Sequence, residues 1–269
     1  MAARSAVMNV MVAAVEKAAR GLVRDFGEVE NLQVSKKGPG DFVSTADKKS
    51  ESILISELSR ARPGYSFLTE ESGEIPGDDK DHRWIIDPLD GTTNFLHGIP
   101  HFAIVVALER QKEIIASVTY DPIKDELFVA EKGKGAFLNR RRLRVSGRRN
   151  LEDAVVGIPI PCIRRSLDGT NNVGLFQRRM EKISPLVSGF RRMGAAALDL
   201  AYVASGRLDV FFEDTLSPWD MAAGILLVKE AGGYVTEISG GRNMLNSGSI
   251  LATNEDLHAV FQKTLSAIV

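Results

Sequence analysis

Trp84 to Phe95 read WIIDPLDGTTNF, and no other stretch so narrows what the chain can fold into. An apolar run ends on Asp87, proline follows, and a second aspartate stands at 90 before Gly91, Thr92 and Thr93. Trp-Ile-Ile reads as a buried strand. Pro88 lacks an N–H and disfavours helical geometry at Asp87, so the chain is expected to leave the sheet there. Gly91 permits a tight path. Thr92, Thr93 and Asn94 are then expected to open a short helical turn whose free N–H groups face the carboxylates. Two readings stand: a place where a cation and an anion meet, or an Asp-Gly turn with an N-cap aspartate.

Other acids bear on that choice. Glu70 and Glu71 close the strand-like YSFLTEE. Asp220 falls in the first turn of SPWDMAAGILLVKEAGG, a helix with Ser217 as N-cap, Pro218 at its first position and Gly232-Gly233 as its stop. Interaction with the helix dipole would by itself account for Asp220. Converging, these acids offer oxygen alone, which suits Mg²⁺ or Mn²⁺ rather than zinc. His97 and His101 stand four apart, but Pro100 breaks the helix that would align them, and nitrogen donors do not suit magnesium.

The remaining text sets the frame. Length, 269 residues, permits one large domain or two smaller ones. With 34 basic against 35 acidic residues, overall charge predicts neither a nucleic-acid nor a membrane partner. A single cysteine, Cys162, excludes an internal disulfide and points to a reducing compartment. The N-terminal stretch through Phe26 suits an amphipathic helix better than a short cleaved signal, and Glu16 and Lys17 interrupt it too soon for a membrane span; a cytoplasmic protein is expected. TADKKSESILISELSRA predicts a second helix. From Phe102 to Val145 the text is strand-like, with turn residues between antiparallel-looking strands. Later, helices and strands alternate, which together suggests stacked α/β layers. NRRRLRVSGRR carries six arginines between Arg140 and Arg149, either a solvated hairpin face or a surface for RNA or an acidic protein.

TEES, DPLDGTTNF and PWDMAAG, in that order, resemble the three motifs of the inositol monophosphatase family, magnesium-dependent, lithium-sensitive phosphatases related to fructose-1,6-bisphosphatase. The match runs from KKGPGDFVSTAD at Lys36 to EAGG at Gly233. The resemblance implies an αβαβα sandwich over a single domain, 1–269, with most metal ligands in 1–149 and with Glu213 and Asp220 in 150–269. It implies a homodimer acting on a small phosphorylated polyol, inositol monophosphate above the related fructose bisphosphate, histidinol phosphate or adenosine bisphosphate esters.

Carried over by position, Glu70, Asp87, the carbonyl of Leu89, Asp90 and Asp220 resemble the metal ligands. Thr92, Asp47 and Glu70 resemble the groups that activate the attacking water. The N–H groups of Gly91 and Thr92 would hold phosphate oxygens, and Lys36 would lie near the metals. Asp90, Ala196, Glu213 and Asp220 resemble substrate contacts, with Glu213 as acceptor for polyol hydroxyls. Ala195 departs from the pattern, since relatives usually carry serine or threonine there, which leaves detailed preference open. Four carboxylates and a phosphate dianion would be neutralised by three divalent cations, so two core Mg²⁺ ions and a third arriving with substrate are expected.

Overall fold

The computed structural model describes residues 4–28, 34–38, 41–160 and 173–268, with the backbone alone for 34–38 and 41–44. Cys162 and the side chains of Lys36 and Lys37 lie outside the described residues. Helix α1 (Ala6–Phe26) is capped by Ser5, whose side chain accepts from the Met8 N–H at 3.1 Å. A hairpin of β1 (Val34–Gly38) and β2 (Asp41–Ser44) follows, with Lys36 on its first strand. Helix α2 (Thr45–Ala61) fills the stretch expected to be helical.

Next come β3 (Ser66–Thr69), β4 (Gly73–Ile75), β5 (His82–Asp90), the short α3 (Thr92–Leu96), β6 (Ala103–Arg110) and β7 (Glu113–Asp121). Strands β8 (Glu126–Glu131), β9 (Gly135–Leu138) and β10 (Arg141–Arg142) close this half. One sheet joins them in the order β10-β9-β8-β7-β6-β5-β3-β4. All its pairs are antiparallel except β3 beside β5. The stretch from Gly135 to Ser146 is thus two short strands about a turn at Asn139 (φ 54°), followed by irregular chain.

The second half alternates as expected: β11 (Val155–Gly157), α4 (Val173–Ile183), β12 (Gly189–Arg191), α5 (Ala196–Ala204), β13 (Val210–Glu213) and α6 (Pro218–Glu230). Strand β14 (Tyr234–Thr236), α7 (Met244–Ser247), β15 (Ile250–Thr253) and α8 (Glu255–Ser266) complete it. Its sheet runs β12-β11-β13-β15-β14.

Side-chain alternation stacks these parts into five layers. Along β5 and β6, Trp84, Ile86, Ile104 and Val106 pack with α1 and α2, while Ile85, Ala103 and Val105 face α5 and α6. In the smaller sheet Phe211, Ile250 and Ala252 face that same central helix pair, and Val210, Phe212 and Leu251 face α8. The order is helices, large sheet, α5 with α6, small sheet, helices. The central layer touches sheet on both sides, which is why α6 is buried from Met221 to Val228 rather than striped. Gly224 lets it approach α5, since a Cβ there would lie 2.4 Å from Leu200 Cδ1. Among the described residues no helix is long and apolar enough to cross a membrane.

Candidate metal and phosphate site

Strand β5 does not leave the sheet at Pro88. Asp87 pairs with Val105 and Asp90 with Ala103, so three steps of β5 match two of β6. That is a β-bulge, the device by which a sheet absorbs a proline while re-aiming the side chains beside it. The bulge is fixed from both sides. Leu89 N–H donates to Asp87 Oδ1 at 2.9 Å, and Ser50 Oγ of α2 donates to the Pro88 carbonyl at 2.9 Å.

Asp90 is not the N-cap of α3. Gly91 holds that position at φ 92°, and a Cβ on it would lie 3.0 Å from the His101 carbonyl oxygen and 3.3 Å from Ala195 Cβ. A left-handed backbone in so tight a place suits glycine alone. Asp90 Oδ2 instead accepts the Ala197 N–H at 2.8 Å, bringing the carboxylate to the N-terminal turn of α5. Buried Asn94 locks the arrangement by donating to the carbonyls of His101 (2.8 Å) and Met193 (2.9 Å).

Two acid groups form here. Asp87, Asp90 and Asp220 offer oxygens within 4.8 Å of one another, and Asp47, Glu70 and Glu71 form a second such group. Asp220 also accepts the Ser217 N–H at 2.7 Å, so its capping role and its place in the cluster coexist. Burial, reinforced by Glu70, Asp90, Asp220 and Asp47, pushes Asp87 well above the usual carboxylate range. Burial and then Asp220 do the same to Asp90, against the opposing Ala197 N–H. Four acids acting on one buried carboxyl is a strained arrangement for a protein alone. It fits a bound divalent cation, and the donors are all oxygen.

Thr92 donates its hydroxyl to the Leu89 carbonyl at 2.9 Å, leaving Asp47 Oδ2 as a longer contact at 3.4 Å. Glu213, at the end of β13, is pushed well above its ordinary value by burial and then by Asp220, Asp199 and Asp90, so it feels the charge of the same carboxylates. Ala196 opens α5 one residue before the N–H that Asp90 accepts. His97 and His101 belong to neither acid group. Burial and Lys124 push the His101 imidazole down to about 4, and its ring meets Tyr202 edge-on.

Three contributors escaped the sequence reading. Buried Glu51 of α2 accepts the Glu71 N–H (2.9 Å) and the Ser72 hydroxyl, pinning the turn that presents Glu70. Asn94 ties α3 to the Met193 carbonyl, 99 positions away. Asp199, 3% exposed, is pushed up to about 8 by burial, with Arg192 opposing, and its Oδ1 has no hydrogen-bond partner among the described residues. Its one available signal was its position as the lone acid in an apolar helix, AAALDLAYVA.

Five alternating layers with carboxylates gathered at strand and helix ends define the class: a layered α/β phosphatase. A model of the inositol monophosphatase family matches residues 3–269, and the chain belongs to that family. An inositol-1-monophosphatase of Mesorhizobium japonicum is 57% identical over 98% of this chain and 97% of its own. The Nus factor SuhB of Escherichia coli is 43% identical, with coverage of 92% and 91%. The crystal structure of the extragenic suppressor protein SuhB from Bartonella henselae superposes with a TM-score of 0.93 at 56% identity, covering 98% of this chain and all of that one.

Proposed function

We propose that this phosphatase hydrolyses a phosphate monoester of a small polyol, inositol monophosphate first, with Mg²⁺ as its metal. The observation that carries the reading is Glu213, which ends β13 and whose carboxyl is raised by burial and by Asp220, Asp199 and Asp90. The 57% identical relative named inositol-1-monophosphatase supports it.

Glu70, Asp87, the Leu89 carbonyl, Asp90 and Asp220 would hold two Mg²⁺ ions, with Mn²⁺ as a substitute and a third ion entering with substrate. Metal bound there supplies positive charge against the phosphate and acidifies water near neutral pH. Asp47, Glu70 and Thr92 orient the attacking water and take its proton. The N–H groups of Gly91 and Thr92, free of intrahelical acceptors at the start of α3, bind phosphate oxygens. Glu213, Asp220 and the Ala196 backbone bind the polyol, and Lys36 contributes positive charge nearby. No covalent phosphoenzyme is required, since Thr92 serves as an orienting hydroxyl rather than a nucleophile. A single domain over 1–269, lithium sensitivity, a homodimer and a cytoplasmic location belong to the same reading.

The test is Mg²⁺-dependent phosphate release from inositol 1-phosphate, fructose 1,6-bisphosphate, histidinol phosphate and 3′,5′-adenosine bisphosphate, with Asp90→Asn as control. Preference for the inositol ester is the expected result. Preference for another ester overturns the role of Glu213 and leaves the metal chemistry standing.

A further inference from the structure

The arginine-rich segment plays no part in the site described above. Strand β10 is the outermost strand of the large sheet, and the chain continues past it without regular structure to residue 150. It is nevertheless held firmly. Leu143 is buried and Val145 packs against the central core, while their N–H groups donate to the carbonyls of Ala136 (2.8 Å) and Ala231 (3.2 Å). Anchoring Leu143 inward turns its neighbours Arg142 and Arg144 outward, about 6.7 Å apart along an extended chain. Arg140 and Arg141 stand just before them at the turn, Arg141 on the Leu143 side of the strand, and all four are exposed.

The acids of this region are already engaged. Glu126 binds both terminal nitrogens of the Arg207 guanidinium. Glu230 accepts the N–H groups of Gly133 and Gly135 at 2.7 Å each. Asp209 takes Arg148 at 3.0 Å and the Val155 N–H at 2.8 Å, and Asp256 lies 3.5 Å from Arg149. Consequently Arg140, Arg141, Arg142 and Arg144 make no ion pair among the described residues, on a chain whose net charge is −1. Charge on an edge strand also discourages edge-to-edge pairing. One charge serves that purpose, whereas four exposed, unpaired guanidinium groups within residues 140–144 of one sheet edge make an anion-binding surface.

Its chemistry separates nucleic acid from protein. Protein interfaces centre on buried aromatic or aliphatic anchors, and no large hydrophobic side chain is exposed between residues 135 and 149. We propose that this sheet edge is a sequence-independent binding surface for the phosphodiester backbone of a nucleic acid, held by Arg140, Arg141, Arg142 and Arg144. No exposed ring in the segment offers a stacking platform, so binding is electrostatic and weak, with Kd of about 10⁻⁴–10⁻⁶ M at physiological salt.

Fluorescence anisotropy on the full chain tests this, with a single-stranded RNA of about 20 nucleotides, a DNA duplex of about 20 base pairs, and polyglutamate of matched charge as probes. Log K against log salt should fall with a slope of about −3 for the single strand if four phosphates are neutralised. Replacing the four arginines by glutamine should weaken binding about tenfold or more and flatten that slope, while replacement by lysine should retain both. Phosphate-ester hydrolysis, equal in all three proteins, reports that the variants are folded. The single strand or the duplex binding more tightly identifies which nucleic acid the surface takes. Absence of binding to either at low salt overturns the proposal, as does equal binding by the glutamine variant. Polyglutamate binding as tightly as RNA overturns it in favour of an acidic protein.

Discussion

Asp90 Oδ2 accepts the Ala197 N–H at 2.8 Å across 107 positions of sequence, tying the bulged end of β5 to the first turn of α5. This one N–H···O hydrogen bond fixes the Asp90 end of the large sheet against the start of α5 and so helps to set where the acid cluster stands. Asp90→Asn keeps the shape and removes the charge. Phosphate release should fall about 100-fold or more, because several kcal/mol of transition-state stabilisation depend on the metal charge held there. Steady-state kinetics with saturating Mg²⁺ measures this; a loss below about tenfold removes Asp90 from the ligand set.

Gly91→Ala should be damaging although it adds one methyl group. The left-handed backbone costs a non-glycine residue about 1–2 kcal/mol, and the new Cβ would lie 3.0 Å from the His101 carbonyl oxygen. A lowered Tm together with lost activity is expected. Unchanged thermal unfolding would show that the turn relaxes freely.

Asn94→Ala leaves the buried carbonyl of His101 and the half-buried carbonyl of Met193 without this donor. Each lost partner costs about 1–3 kcal/mol, so urea denaturation should register a destabilisation of about 2–4 kcal/mol. Activity should fall as well, since the same amide aligns α3 with the loop leading into α5.

Asp199 predicts a pH dependence in metal-free protein. An unfolded aspartate ionises near 3.8 and folded Asp199 near 8. Between those values the unfolded chain has released a proton that the folded chain retains. The contribution of this group is therefore fully present below about pH 4 and is lost as pH rises toward 8. Asp199→Asn removes that slope, so the variant should melt several degrees above the parent at pH 8 and close to it at pH 4. Thermal scans across pH decide the matter, and parallel curves for the two proteins would exclude it.

Chelation should lower Tm and Mg²⁺ should restore it, since a cation binding only the folded cluster stabilises by mass action. Asp87 and Asp90 are both pushed upward, so metal uptake should release protons and strengthen with rising pH. Calorimetry in buffers of different ionisation enthalpy measures the protons released. None released near neutral pH would contradict the upward shifts.

Local chemistry made much of this legible. Helix α2 occupies 45–61 as its periodicity predicted, and α6 begins at Pro218 behind Ser217 as its cap residues required. Asp87, Asp90 and Asp220 stood out because proline, glycine and cap signals lie within a few residues of each. Pro88 misled for the same reason. Its missing N–H predicts departure from the sheet, but pairing of Asp90 with Ala103 beyond it makes a bulge less costly than an exit. Nothing local to Glu51 or Asn94 announces their roles, because each acts on a segment remote in sequence, 20 positions away for Glu51 and 99 for Asn94.

By itself, then, the sequence determined the secondary elements, the family and the acids available for chemistry, since propensity, capping and motif spacing act over a few residues. Tertiary structure decided which of those acids share one cleft, which are driven toward protonation, and which arginines remain unpaired. Those outcomes depend on burial and on distances between distant segments. Both quantities come into existence only when the five layers close on one another.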